Sequence, residues 1–287
     1  MRKVAVITDS TCCLPAELLD RHSIRVVPLL IVVGGKTFRD GLDITPGEVY
    51  RIMRQGGDLP TTSVPTPDDF AHTYAEVGRE AEAIVCITLT GLQSKTCEAA
   101  ALGRQLARDV LPQTPIEVID SRAVAGALGF MVLEAARAAD GGAGLKEVCE
   151  AARRTGARMN FLAMVDTLQY LARTGRIARA AAWAGAVLNV KPVLEHSTSV
   201  GETAPFARPR SRAKAVEVML QTMAQRMGES RVHVLVHHAD EPREGEKLKD
   251  EIERRFRCAE SYLTEFTPIM GVHAGPGVLG VAFWKDG

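Results

Sequence analysis

A two-domain α/β fold is the class this sequence predicts, and three observations carry it. Short apolar runs rich in β-branched residues recur along the first half, at residues 4–7, 25–33, 84–89 and 116–119. They are continuous rather than alternating, as expected of strands buried on both faces. Stretches with helical spacing fall between them, and that alternation marks a mostly parallel sheet layered with helices. The chain has 287 residues, enough for about two domains.

The sequence runs from MRKVAVITDS directly into the first strand. Thr45-Pro46-Gly47-Glu48 is a capping box with proline at the first helical position, and Val49, Ile52 and Met53 follow on one face. Thr66-Pro67-Asp68-Asp69 opens a second helix carrying Phe70, Tyr74 and Val77. A third begins about Ser94 and runs through Ala99, Ala100 and Leu106. Residues 129–139 and 145–154 complete the helices of the first half, joined by the flexible Gly141-Gly142-Ala143-Gly144. The domain boundary falls after residue 158, giving an N-terminal α/β domain over 1–158 and a C-terminal α/β domain over 159–287 with a mixed sheet. In the second half residues 161–165 are apolar, and Asp166 is expected to cap a helix through Leu168 and Leu171. An Ala-rich helix is expected after Arg176. Strands near 192–195, 232–237, 259–264 and 278–283 flank helices over 212–227 and 244–256.

Composition narrows the function. Hydrophobic residues make up 46% of the chain and aromatics only 5%, so the core must be built from Ala, Val, Leu, Ile and Met. Lys plus Arg (35) balances Asp plus Glu (35), which argues against nucleic acid as the main partner. Cys12, Cys13, Cys86, Cys97, Cys149 and Cys258 form no CxxC pair and no zinc spacing, the usage of a reducing cytoplasm. No signal peptide is evident, and no apolar run approaches the roughly 20 residues of a membrane-spanning helix. A cytoplasmic protein is expected, with a monomer as the default.

Five loops present hydroxyls and backbone N–H groups after apolar strands: Asp9-Ser10-Thr11, Thr61-Thr62-Ser63, Gln93-Ser94-Lys95-Thr96, Asp120-Ser121 and the stretch from Gly271 to Gly277. In open α/β sheets ligands bind beyond the carboxyl ends of the strands, where helix N-termini favour anions. Any one of these loops alone reads as a helix cap; together they point to a small-anion site. Gly275-Pro276-Gly277-Val278-Leu279-Gly280 matches GxGxxG but runs into a strand rather than a helix, so it is not a dinucleotide fingerprint. Its glycines let the backbone approach a ligand or a turn. His273, within that loop, is expected to face a cleft. His233, His237 and His238 lack partners at metal-binding spacing. No nucleophile elbow, zincin motif or Walker A loop is present, so neither cofactor nor metal is expected. Arg173-Thr174-Gly175-Arg176 and the cluster Arg208, Arg210, Arg212 and Lys214 read either as solvated helix ends or as oxyanion-binding patches.

Taken together these segments resemble the DegV family, whose members include the fatty-acid-binding subunits of bacterial fatty acid kinase. The resemblance rests on Ile7-Thr8-Asp9-Ser10-Thr11, Asp40-Gly41-Leu42-Asp43, Thr61-Thr62-Ser63-Val64-Pro65-Thr66-Pro67, Asp120-Ser121, the stretch from Leu168 to Ile177, Leu188-Asn189-Val190-Lys191-Pro192-Val193-Leu194 and the stretch from Gly271 to Gly280. It implies two α/β domains around a buried long-chain fatty acid, a carrier without catalysis of its own, and a partner kinase that phosphorylates the carboxylate. It assigns the carboxylate to Thr62, Ser94, His273 and Arg176, with Ser63, Thr96 and Gly275 beside them, and contact with the kinase to Arg210. The family commonly has Leu directly followed by Ser-Gly-Thr, whereas Leu92-Gln93-Ser94-Lys95-Thr96 carries an extra residue. Ser94 is the better match because Thr96 then also aligns, with Gln93 as the alternative. Two other readings compete: a hydrolase or acyltransferase using Ser94 or Ser10 with His273, and a carrier of another hydrophobic anion.

Overall fold

The computed structural model describes residues 2–56, 59–177 and 190–286. In the first half, β1 (Arg2–Asp9), β2 (Arg25–Val27), β6 (Ala81–Thr88) and β7 (Ile116–Asp120) form a four-stranded sheet in the order β2-β1-β6-β7, parallel throughout. The expected capping box at Thr45 forms, and the helix start at Thr66 proves to be a second one. Thr45 and Glu48 close the start of the helix Pro46–Gln55, and Thr66 and Asp69 that of Pro67–Val77. The helices Thr96–Leu106, Ala125–Asp140 and Leu145–Gly156 complete the layers.

The run at 25–33 is not one strand. Pro28, which lacks an N–H for a sheet ladder, separates β2 from β3 (Leu30–Val33). β3 belongs instead to a three-stranded antiparallel sheet with β4 (Lys36–Arg39) and β5 (Thr61–Ser63). Gly34 and Gly35, both at positive φ (55° and 78°), make the two-residue turn that returns β3 into β4. A Gly-Gly pair directly after the apolar run 29–33 is the hairpin signal for this sheet.

The second half holds a six-stranded mixed sheet in the order β10-β9-β8-β13-β11-β12. Its strands are β8 (Asn160–Met164), β9 (Val193–Ser197), β10 (Glu202–Ala207), β11 (Val232–His238), β12 (Cys258–Glu265) and β13 (Leu279–Lys285). Only β11 and β12 pair in parallel. β10 is an unexpected edge strand: Pro205 hides it in the sequence, and an edge is where a strand tolerates proline. Asp166 does not cap the helix Gln169–Thr174, which starts without a side-chain cap. Its carboxylate instead lies 2.9 Å from Lys191 Nζ and 3.5 Å from an Arg212 guanidinium nitrogen. The expected Ala-rich helix after Arg176, and Leu188 and Asn189 of the Lys191 motif, lie outside the described residues.

The period of two along β8 separates two hydrophobic layers. Leu162 and Met164 pack with Met219, Leu220 and Met223 of the helix Arg212–Met227. Phe161, Ala163 and Val165 face the other way, into a core shared with the first half. The helix Ala125–Asp140, buried along most of its length, lies between the two large sheets and packs against β1 and β13. Gly129 lets it approach Cys12 and Leu14 on one side, and Gly126 lets it approach His237 and Ala282 on the other.

Candidate functional site

A cavity opens between the halves, beyond the carboxyl ends of β1 and β6, where the parallel sheet predicts it. Including its open mouth it spans about 920 Å³. Most of the lining is apolar, with Leu29 and Val124 from the first half and Phe161, Val165, Leu194 and Phe266 from the second.

The polar lining is delivered by local devices in the chain. Thr62 sits mid-β5, paired opposite Ile31 of β3. His273 lies in the last turn of the short helix Pro268–Ala274 rather than in a loop. Its Nε2 is 3.1 Å from Thr62 Oγ1, while its buried Nδ1 has no hydrogen-bond partner among the described residues. Burial, then the charges of Arg176 and Arg173, push the His273 pKa down to about 4, so the ring is neutral at physiological pH. Arg176 is aimed into the cavity by a glycine cap. Gly175 ends the helix Gln169–Thr174 at φ 70°, and Arg176 donates its backbone N–H back to Leu171 O (3.1 Å).

Ser63, Gln93 and Ser94 also line the cavity. Ser94 Oγ lies 2.8 Å from Thr96 Oγ1 and accepts the Thr96 N–H at 3.3 Å, at the start of the helix Thr96–Leu106. Thr96 is fully buried behind Ser94 and is not part of the lining. Gly275 also does not line it. At φ 83°, it is bare because a Cβ there would enter the Tyr170 ring, and Gly277 makes the same allowance for Asp166. Arg210 is exposed, ahead of the helix Arg212–Met227 and away from the lining.

Two of the five loops spend their donors internally. Asp9 Oδ1 accepts the Thr11 N–H (2.9 Å), and Asp9 Oδ2 accepts that of Leu89 (2.8 Å). Asp120 Oδ1 accepts the N–H groups of Gly91 and Arg122. Asp9 therefore ties together two strand ends that carry lining residues. Asp40 plays the matching part on the other side. Its Oδ1 accepts the Ile269 N–H (2.9 Å) in the first turn of the helix that carries His273. Burial raises both carboxyls, Asp9 and Asp40, to a pKa of about 6.

His233, His237 and His238, which lie outside the cavity, have packing roles. The His233 ring stacks on Trp284 at 4.0 Å and pairs with Glu260 and Asp286. His237 is fully buried and stacks on Phe266 at 4.8 Å. His238 lies 4.0 Å from Glu265. Among the described residues no group of three or more His, Cys, Asp or Glu side chains could hold a metal, and no helix is long and apolar enough to cross a membrane. His273, the base a hydrolase would need, faces a threonine rather than Ser94 or Ser10, and among the described residues no carboxylate hydrogen-bonds its ring.

A family model described as an uncharacterised protein family, DegV, matches residues 3–286. The chain belongs to the DegV family. A DegV domain-containing protein of Streptomyces coelicolor is 35% identical over 282 residues, covering 98% of both chains. Protein DegV of Bacillus subtilis is 30% identical over 286 residues, again with 98% of each covered. Among solved structures, a DegV family protein from Thermus thermophilus, described by its fatty acid binding, superposes with a TM-score of 0.91 at 32% identity over the whole of both chains. A stearic-acid-binding protein from Eubacterium ventriosum superposes with a TM-score of 0.88 at 26% identity, over 99% of this chain and 98% of its own. The DegV motifs at Thr61-Thr62-Ser63, Ser94 and His273 all reach the one cavity. Motif reading missed Thr203 and His196, which also line it from β10 and β9. Once β10 is known, their position opposite each other across the edge hairpin is the signal that finds them.

Proposed function

We propose that this protein holds a long-chain fatty acid, its carboxylate against Thr62, Ser94, His273 and Arg176 and its tail in the apolar part of the cavity. It then presents that carboxylate to a partner fatty acid kinase. The observation that carries the reading is the Thr62–His273 pair, 3.1 Å apart, in a cavity whose lining is otherwise mostly apolar. Burying each CH₂ yields about 0.8 kcal/mol, so a tail of about 16 carbons grosses some 12 kcal/mol before ordering costs. A buried carboxylate needs donors; hydroxyls, a neutral ring and one guanidinium supply them without a tight ion pair. That moderate hold suits a carboxylate that must react with a second protein.

In this reading the chain is a monomeric carrier, not an enzyme. Ser63 flanks the carboxylate, Thr96 and Gly275 support the site from behind, and exposed Arg210 contacts the kinase. Residues 1–158 and 159–287 act as the two folding units. The helix Leu145–Gly156 closes the first, and β8, beginning at Asn160, opens the second.

Equilibrium binding of palmitate to delipidated protein tests the first claim. Wild type binds, and Thr62→Val weakens binding about tenfold or more, as expected for removal of a hydrogen bond to a charged group. Reconstitution with a fatty acid kinase subunit and ATP tests the second. Acyl phosphate forms with wild type and falls with Arg210→Ala at unchanged palmitate affinity. A protein that does not bind palmitate, or whose bound palmitate is never phosphorylated, refutes the corresponding claim.

A further inference from the structure

The cavity carries a second polar group, built across the two halves. Gln93 comes from the loop after β6, His196 from β9 and Thr203 from β10, and all three line the cavity. Gln93 Nε2 is 3.0 Å from Thr203 Oγ1. Thr203 Oγ1 is 2.9 Å from His196 Nδ1, and His196 Nε2 is 3.0 Å from the backbone oxygen of Arg122.

The direction of each bond follows from the last one. A carbonyl only accepts, so the His196 hydrogen is on Nε2. The ring is buried, 2% exposed, and burial pushes its pKa down to about 4 despite the Arg122 bond. It is therefore neutral, and Nδ1 must accept the hydroxyl proton of Thr203. With that proton committed, Thr203 Oγ1 can only accept from Gln93. The amide of Gln93 thus has one settled orientation, with its nitrogen toward Thr203. A flipped amide would set an oxygen against an oxygen with no proton to share.

One N–H of Gln93 remains, next to Ser94 and the start of the helix Thr96–Leu106. The hairpin that supplies Thr203 is itself seated on the first half: Thr90 Oγ1 donates to Gly201 O (2.9 Å) and Arg122 donates to Ser199 O (3.2 Å). The chain Arg122–His196–Thr203–Gln93 therefore begins and ends in the first half and passes through the second.

We propose that Gln93 is a head-group-selecting residue that gives its remaining amide N–H to the bound carboxylate, and that Thr203 and His196 are positioning residues fixing that amide. The inference rests on the fatty-acid reading and deepens it. An N–H donor favours a carboxylate over a head group whose hydroxyl needs an acceptor, and it adds no charge that would hold the carboxylate against transfer.

Delipidated full-length protein is titrated with palmitate and with hexadecanol, which shares its chain length but has no carboxylate. Gln93→Leu lowers palmitate affinity roughly tenfold or more and changes hexadecanol affinity by less than about threefold, the latter serving as the control for an intact cavity. Thr203→Val has the same selective effect in weaker form, and Thr203→Ser, which keeps the hydroxyl, restores palmitate binding. Equal losses for both ligands, or no loss for either, overturn the role of Gln93. A selective Gln93→Leu with a silent Thr203→Val overturns the positioning chain. If wild type binds neither ligand, the fatty-acid reading itself fails; if it binds palmitate and Gln93→Leu is silent, only the present inference fails.

Discussion

Asp40→Asn should stabilise this protein, and by an amount that depends on pH. Asp40 is 3% exposed, and one of its carboxylate oxygens accepts the Ile269 N–H. Burial raises its pKa from 3.8 to about 6. Because the folded state binds the proton more tightly than the unfolded chain does, stability is fully present below pH 3.8 and is lost as pH rises through the window up to about 6. At about 1.4 kcal/mol per pK unit, the ionised carboxyl costs the folded state about 3 kcal/mol at neutral pH. Asparagine stands for the protonated acid: it keeps an acceptor for Ile269 and carries no charge. The variant should therefore gain about 3 kcal/mol near pH 7.5, about half of that near pH 5 and under about 1 kcal/mol near pH 4. Urea unfolding at the three pH values reads the gain directly, and near pH 7.5 it corresponds to a rise in Tm of about 5 °C. Asp40→Ala, which strands the Ile269 N–H, should gain about 1–3 kcal/mol less than asparagine. A destabilised Asp40→Asn at neutral pH, or a gain that does not change with pH, would refute this reasoning.

Three further outcomes follow from the same geometry. Because burial and the nearby Arg176 and Arg173 hold the His273 pKa at about 4, palmitate affinity should show no histidine titration between about pH 5.5 and 8; a step near 6.5 would place a charged His273 in the site. Glu260 would be raised by burial alone, but hydrogen bonds from Arg137, His233 and Tyr262 outweigh that and hold it at about 2. Its contribution is present above pH 4.5 and lost as pH falls toward 2, so Glu260→Gln should cost about 2–3 kcal/mol at neutral pH, measured by denaturant unfolding. Gly103→Ala would place a Cβ 2.6 Å from both Phe70 Cβ and the Pro67 carbonyl oxygen, forcing apart two packed helices. It should lower stability by about 1–2 kcal/mol despite alanine's better helix propensity, with thermal unfolding as the check.

The elements legible in the sequence were those whose signal is local. The capping box at Thr45, the helix start at Thr66 and the buried strands β1 and β6 form as expected, because caps and apolar runs are decided within a few residues. The sequence misleads where one residue type changes meaning with its surroundings. Pro28 divides an apolar run between two sheets, and Pro205 conceals an edge strand. The hydroxyl-rich loops were a partial guide to the site. Thr62, Ser94 and His273 do reach the cavity, but Asp9 and Asp120 satisfy their own loops, and local sequence does not tell an open donor from a satisfied one. Gly275 makes room for the Tyr170 ring, and the Gln93–Thr203–His196 chain joins residues about a hundred positions apart.

Native mass spectrometry of the protein purified from cells tests the central claim most directly. A bound mass equal to that of a free long-chain fatty acid, lost in Thr62→Val, is the predicted result. A protein that emerges empty and stays empty when offered palmitate, or one carrying a ligand with no acyl chain, would contradict it.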